Sequence, residues 1–182
     1  MPLPPALEAV WNDMEAVRAK VLREAGGLSQ RQADWRPSEA EWSVGEILHH
    51  LAVAETHTGK LTTKLTREAE AAGTLTPYPT GLAGFAALPR VPIEGMQAPP
   101  QVGPERGLPL SRLLDDLAGL RARSRQSLEK IAALDPRRLT FKHFAFGELN
   151  IAQWWVLQAN HDATHLTQMR AVKASPDFPA AG

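Results

Sequence analysis

The chain has 182 residues, 43% of them hydrophobic, which suits one domain with a substantial core and leaves too little for a second full domain. Lys plus Arg and Asp plus Glu both number 20, so no net charge exists to attract a nucleic acid or an anionic membrane. The chain has no cysteine, which excludes disulfides, thiolate ligands and a thiol nucleophile of its own. We expect a cytoplasmic protein, because no apolar run approaches the roughly 20 residues of a membrane helix and the start is neither basic nor strongly apolar.

Apolar periodicity predicts the first two helices. In the first, apolar residues recur three or four positions apart over residues 7–22, and Gly26–Gly27 interrupts the pattern. The second begins near Ser43, because Ser43 and Glu46 have the spacing of a capping box. Its apolar stripe predicts a helix that runs to about Ala72, just before a glycine.

A long connection follows the second helix. Periodicity disappears over residues 73–108, and eight of the 15 prolines fall within residues 77–109, so regular structure is not expected there. Loops of this length are uncommon inside a compact domain. We interpret this one as a crossover that returns along the bundle and leaves helices two and three parallel. The third helix carries an apolar stripe over residues 113–134 and ends at Asp135–Pro136.

A second connection, residues 136–149, contains three phenylalanines that we expect to cover one end of the bundle: Phe141, Phe144 and Phe146. His143 beside them is interpreted as a packing or hydrogen-bonded residue. Asn150 predicts the cap of a fourth helix that lasts to about Ala174. Alternating β-branched residues are scarce, so a sheet is not expected. The predicted fold is all-α: one domain, 1–182, forming a four-helix bundle with a long crossover between helices two and three.

Three histidines have the spacing of a metal site. His161 and His165 lie one turn apart on the fourth helix, about 40° apart around it, so both imidazoles can reach one ion. His50 belongs to the inward stripe of the second helix, where an unpaired imidazole is costly, whereas His49 is expected to face solvent. Antiparallel packing would bring the three to similar heights. Three neutral imidazoles suit one divalent Zn, Ni or Fe ion and leave coordination positions open.

Other polar residues have weaker assignments. His57 lies two turns beyond His50 and is a candidate for the wall of a pocket. Gln168 lies one turn beyond His165 and could orient a ligand or a metal-bound water, with an ordinary interhelical amide as the alternative. Glu46 is best explained by its capping role, and Asp162 by a pairing with an arginine. The tryptophans are interpreted as core or interface residues.

Three separated motifs resemble one family. They are Trp42–Leu51 (WSVGEILHHL), Phe146–Leu149 (FGEL) and His161–Gln168 (HDATHLTQ). In this order they resemble the DinB/YfiT-like metalloprotein superfamily, whose members are four-helix bundles with a long second crossover. The resemblance implies a metal held by His50, His161 and His165. It covers nearly the full length at the level of helix order, but the proline-rich crossover matches no motif of the family.

The resemblance also implies a reaction. Bacillithiol transferases and mycothiol-dependent isomerases have a similar arrangement, in which a metal binds a low-molecular-weight thiol and directs its thiolate at an electrophile. A metal-dependent thiol S-transferase is therefore expected, with a small-molecule thiol and an electrophile as partners. Two alternatives stay open: a metal-dependent hydrolase, for which Glu46 and Glu55 are poor candidate bases, and a non-catalytic stress-associated bundle. Helix faces that can pair about a two-fold axis predict a homodimer.

Overall fold

The computed structural model describes residues 2–88 and 99–180, so residues 89–98 of the predicted crossover lie outside the described residues. Five α-helices are found in the described part: α1 Pro5–Ala25, α2 Gln30–Asp34, α3 Val44–Ala71, α4 Leu110–Ile131 and α5 Ile151–Lys173. They are joined by two 3-10 turns, Pro100–Val102 and Pro136–Arg138, and by a hairpin of two strands, β1 Thr140–His143 and β2 Gly147–Asn150. None of the described helices is both long and apolar enough to cross a lipid bilayer.

α3 and α4 run parallel, as the long crossover predicts. Gly45 lies against Leu113 near the starts of both helices. Farther along, the Lys130 amine donates to the Thr63 hydroxyl at 3.1 Å. Residue numbers therefore rise together along the two helices, and the connection between them must return the chain along the length of the bundle.

α1 and α5 form the second parallel pair, and this pair is antiparallel to the first. Arg18 pairs with Asp162, and Glu24 pairs with Lys173 farther along both helices. Across α3 and α5 the numbering runs in opposite directions, because His50 meets His161 while Thr62 meets Trp155. The predicted four-helix bundle is confirmed.

Local capping residues fix where the helices start. The Ser43 hydroxyl accepts from the backbone N–H of Glu46, whose carboxylate accepts in turn from the Ser43 N–H, so the predicted capping box begins α3. Asn150 and Gln153 make the same reciprocal pair at α5. The short α2, which the apolar pattern did not predict, starts at a third capping box on Ser29.

The connection after α4 differs from the prediction in three respects. β1 and β2 form an antiparallel hairpin, although no sheet was expected; strands of four residues are too short for alternation to identify them. α4 ends at Ile131, three residues early, because Leu134 leaves the helix to form a bridge with Pro77. Phe141 and Phe144 are 41% and 63% exposed, so the prediction that they plug the end of the bundle is wrong.

The core consists of two apolar clusters that lie at different heights along the bundle. One contains Val21 of α1 and Leu117 of α4, and the other contains Met14 and Leu128 of the same two helices. Charged residues occupy the positions between them, such as Arg18 between Met14 and Val21. The bundle is thus divided by a buried polar layer, and the histidines lie beside it.

Candidate metal centre

His50, His161 and His165, here called the histidine cluster, are brought together by the antiparallel packing of α3 on α5. His50 lies about two turns into α3, and the other two face it from successive turns of α5. Nε2 of His161 is 2.9 Å from Nε2 of His50 and 3.1 Å from Nε2 of His165. The ligand atoms of all three rings lie within 4.8 Å of one another. The sequence prediction that these three histidines share one place is met.

Hydrogen bonds on the outer nitrogens fix two of the three tautomers. Nδ1 of His50 is 2.6 Å from the Val102 carbonyl oxygen, and Nδ1 of His165 is 2.7 Å from Oε1 of Gln168. Carbonyl and amide oxygens only accept, so both Nδ1 atoms donate and carry the proton. The Nε2 atoms of His50 and His165 therefore present lone pairs to the centre of the cluster.

The three inward nitrogens do not carry enough protons to form hydrogen bonds with one another. Nε2 of His161 faces two lone pairs but carries at most one proton while the ring is neutral. A cation held among the three nitrogens would receive all three lone pairs. Neutral imidazole nitrogen is the donor that zinc, nickel and ferrous iron accept, and metal-ligating histidines commonly donate their other N–H to a carbonyl or an amide. The residues present thus fit a divalent metal.

Burial keeps the cluster neutral. Desolvation lowers the pKa of His50, and it lowers the pKa of His165 to about 4 with a further contribution from His50. Desolvation also brings the pKa of His161 well below its usual value, with the other two histidines and Arg18 acting in the same direction. At neutral pH all three rings are therefore in the neutral form, which leaves one nitrogen of each free to ligate a metal.

Comparison with known proteins identifies the family. A family model described as the DinB superfamily matches residues 13–169. The chain belongs to the DinB superfamily. It is 24% identical over 164 residues to the uncharacterized protein YuaE of Bacillus subtilis (strain 168), a match that covers 86% of this chain and 92% of YuaE. The crystal structure of TT2238, a four-helix bundle protein, covers 91% of this chain and 98% of its own at 22% identity with a TM-score of 0.61, which supports the fold.

The crossover of this DinB superfamily protein contributes directly to the cluster. Besides the Val102 carbonyl, the Glu105 N–H donates to Nδ1 of His49 at 2.8 Å, and Arg106 pairs with Glu46 at 3.3 Å. His49 is therefore partly covered by the crossover and only half exposed to the solvent that it was expected to face. Sequence patterns gave no indication of these contacts, because they join an irregular segment to α3 through backbone atoms.

An aromatic ring forms one wall of the cluster. The Trp42 ring is stacked on His165, with an interplanar angle of 18° and centroids 6.0 Å apart, and its centroid lies 4.8 Å from that of His50. From the sequence, the tryptophans were expected to be core or interface residues. Its position in the sequence could have indicated the contact, because Trp42 immediately precedes the Ser43 cap and is the first residue of the motif that contains His50.

The two remaining predicted site residues are Gln168, which contacts the cluster, and His57, which does not. Gln168 lies where it was expected and fixes the orientation of His165. His57 is exposed, so the structure does not bring it into the cluster. At its height along α3 the residue that faces α5 is the next one, Thr58, whose hydroxyl accepts a hydrogen bond from Gln158.

Four charged residues next to the cluster form what we call the ion network: Arg18 of α1, Glu55 of α3, Arg121 of α4 and Asp162 of α5. Arg18 bonds Asp162 at 2.8 Å and Glu55 at 2.7 Å. Arg121 bonds the same two carboxylates at 3.0 and 3.2 Å. No member is more than 7% exposed. The prediction that Asp162 pairs with an arginine is confirmed, because both Arg18 and Arg121 bond it. The carboxylates of Glu55 and Asp162 each pair with both arginines.

Proposed function

We propose that this DinB superfamily protein binds one divalent metal ion, zinc, nickel or ferrous iron, through Nε2 of His50, His161 and His165. The observation that carries the proposal is the convergence of three Nε2 atoms, two of them held as lone-pair donors by hydrogen bonds on the opposite side of the ring. Three protein ligands leave further coordination positions for water or a substrate.

We further propose that the metal serves the transfer of a low-molecular-weight thiol, of the bacillithiol or mycothiol type, to a small electrophile. When bound, the ion would lower the pKa of the thiol and hold the resulting thiolate in place. The chain itself contains no cysteine, so a sulfur nucleophile has to come from a small molecule. The Trp42 ring offers an apolar surface against which such a molecule can lie.

The state of the carboxylates favours thiol transfer over hydrolysis. Activation of water is helped by a free general base, whereas a metal-bound thiol ionises readily without one. The Glu46 carboxylate accepts from the Ser43 N–H and pairs with two arginines, Arg36 and Arg106. Glu55 and Asp162 are held in the ion network. The acidic side chains nearest the ligands along the chain are therefore all occupied.

Metal content tests the first proposal. The chain is purified without an affinity tag, reconstituted separately with Zn, Ni and ferrous iron, and analysed for bound metal as wild type, His50→Ala, His161→Ala and His57→Ala. One equivalent is expected in wild type and in His57→Ala, because His57 is an exposed histidine on the same helix as His50. The other two variants should lose it. A wild type that retains none of the three metals would overturn the proposal.

A thiol panel tests the second proposal. Cobalt-substituted protein should change its visible absorption when a small thiol binds, and turnover of an electrophile should require both metal and thiol. His161→Ala should be inactive under the same conditions. A metal that exchanges no ligand and supports no turnover, but whose removal sharply lowers the unfolding midpoint, would instead identify a structural ion and a non-catalytic bundle.

The homodimer and the cytoplasmic location stay predictions. Sedimentation equilibrium at micromolar concentration measures the first directly. A species of twice the 19.9 kDa chain mass is expected, and a monomer at every concentration would contradict the prediction.

A further inference from the structure

The three histidines of the cluster differ in how their outer nitrogens are satisfied. His50 donates to a backbone carbonyl and His165 to an amide oxygen. Nδ1 of His161 is buried and has no hydrogen-bond partner among the described residues. If His161 ligates through Nε2, its proton must be on Nδ1, and a buried N–H without an acceptor is unfavourable.

A complementary atom lies one turn earlier on the same helix. The Nε2 amide of Gln158 donates to the Thr58 hydroxyl at 2.7 Å, which fixes the orientation of the side chain. Its Oε1 is then directed elsewhere and is also buried without a partner among the described residues. Side chains three residues apart on a helix share a face, so an unpaired donor on His161 and an unpaired acceptor on Gln158 are neighbours.

We propose that Gln158 is a positioning residue for His161, acting through one buried water that accepts from Nδ1–H and donates to Oε1 of Gln158. This inference rests on the proposed metal site and extends it. Internal waters typically bridge buried polar groups that lack a protein partner. Metal-ligating histidines donate their second N–H to a carboxylate, a carbonyl or a water. Each of the three ligands then has its own support: Val102, Gln168 and Gln158.

Zinc affinity, measured by competition with a chromogenic chelator, tests the role of Gln158. Gln158→Leu removes the acceptor and should weaken zinc binding by about 10- to 100-fold, the usual effect of removing such a support. Gln126→Leu, an exposed glutamine on α4, is the matched control and should bind as wild type does. Gln158→Glu keeps an acceptor oxygen and should recover most of the affinity lost in Gln158→Leu.

A second readout separates positioning from a general effect on folding. Long-range proton–nitrogen NMR of zinc-loaded wild type should show a slowly exchanging Nδ1 proton on His161. In Gln158→Leu this proton should exchange faster, while the Nδ1 proton of His165 is unchanged. This measurement on wild type remains decisive if the leucine variant does not fold.

The possible failures are distinguishable. Zinc binding in Gln158→Leu equal to that in Gln126→Leu, or a His161 protonated on Nε2 in the zinc-loaded wild type, would overturn the role of Gln158. The first of these results would leave the three-histidine site standing. A wild type that binds no zinc would overturn both.

Discussion

Two buried polar groups lie side by side in the bundle, and they differ in completeness. In the ion network two guanidinium groups face two carboxylates, and each charge has opposite charges within hydrogen-bond distance. In the histidine cluster three neutral rings point nitrogen atoms at one another. Both carboxylates of the network are paired with arginines of the chain, whereas the inward nitrogens of the cluster outnumber the protons that could join them, a mismatch that a cation would remove. The ion network thus has the character of a structural group, and the histidine cluster that of the proposed metal site.

The largest expected effect comes from breaking the ion network. Glu55→Gln leaves the two buried arginines with one buried carboxylate, Asp162, besides the more exposed Glu15 beside Arg121. Removing one partner of a buried ion pair typically costs about 3–5 kcal/mol in the free energy of unfolding. The matched control is Asp116→Asn, which removes an exposed pair with Arg112 and should cost less than about 1 kcal/mol. Urea denaturation measures both. Equal stabilities of the two variants would show that the network does not hold the fold together.

The histidine cluster should make the metal-free chain sensitive to acid. Burial lowers the pKa of His165 from 6.5 to about 4, so the unfolded chain binds its proton first as the pH falls. The contribution of His165 to the free energy of unfolding is fully present above about pH 6.5. It falls by on the order of 3 kcal/mol as the pH drops toward 4. Urea denaturation at pH 7, 6 and 5 tests this, with His165→Asn as the comparison. Parallel pH profiles in the two proteins would contradict it.

Removal of a single support should weaken the cluster without unfolding the chain. Gln168→Leu takes away the acceptor that holds His165 with its Nε2 lone pair inward. Zinc affinity is expected to fall by about 10- to 100-fold, with the melting temperature of the metal-free protein little changed. Isothermal titration with zinc measures the affinity. A large drop in melting temperature with unchanged affinity would make Gln168 a structural amide instead.

The smallest effect is expected at the rim. Arg106 is 62% exposed in its pair with Glu46, so Arg106→Ala should change the free energy of unfolding by less than about 1 kcal/mol. Zinc binding should hardly change, because the crossover still reaches His50 through the Val102 carbonyl. Chemical denaturation and zinc titration check both parts. A tenfold loss of zinc affinity would show that the Arg106 contact holds the crossover over the cluster.

Features encoded locally were predictable from the sequence. Apolar spacing and capping boxes gave the limits of α3 and α5, because the residues that start a helix are adjacent to it. The proximity of the three histidines could be predicted from the same helical geometry. The hairpin and α2 were not predicted, because elements of four or five residues are too short to show a periodic apolar pattern.

Contacts that join distant segments were harder to predict. The Val102 carbonyl reaches His50 from an irregular loop, and a backbone atom carries no sequence signature. The ion network did leave a signal. Arg18 interrupts the apolar stripe of α1, and Arg121 follows Leu117 by four residues on α4. Charged residues at inward positions of a bundle require partners, so two arginines and two acids in such positions indicate that they pair with one another.

The order of the cluster along the chain has a consequence for biosynthesis. His50 is made about 100 residues before α5, the helix that contributes both other ligands. A nascent chain that ends before residue 151 contains one of the three histidines and lacks the helix against which α3 packs. Because synthesis proceeds from the amino terminus, metal capture by the full set requires translation past His165. An ion bound to all three nitrogens would therefore mark a finished and assembled bundle.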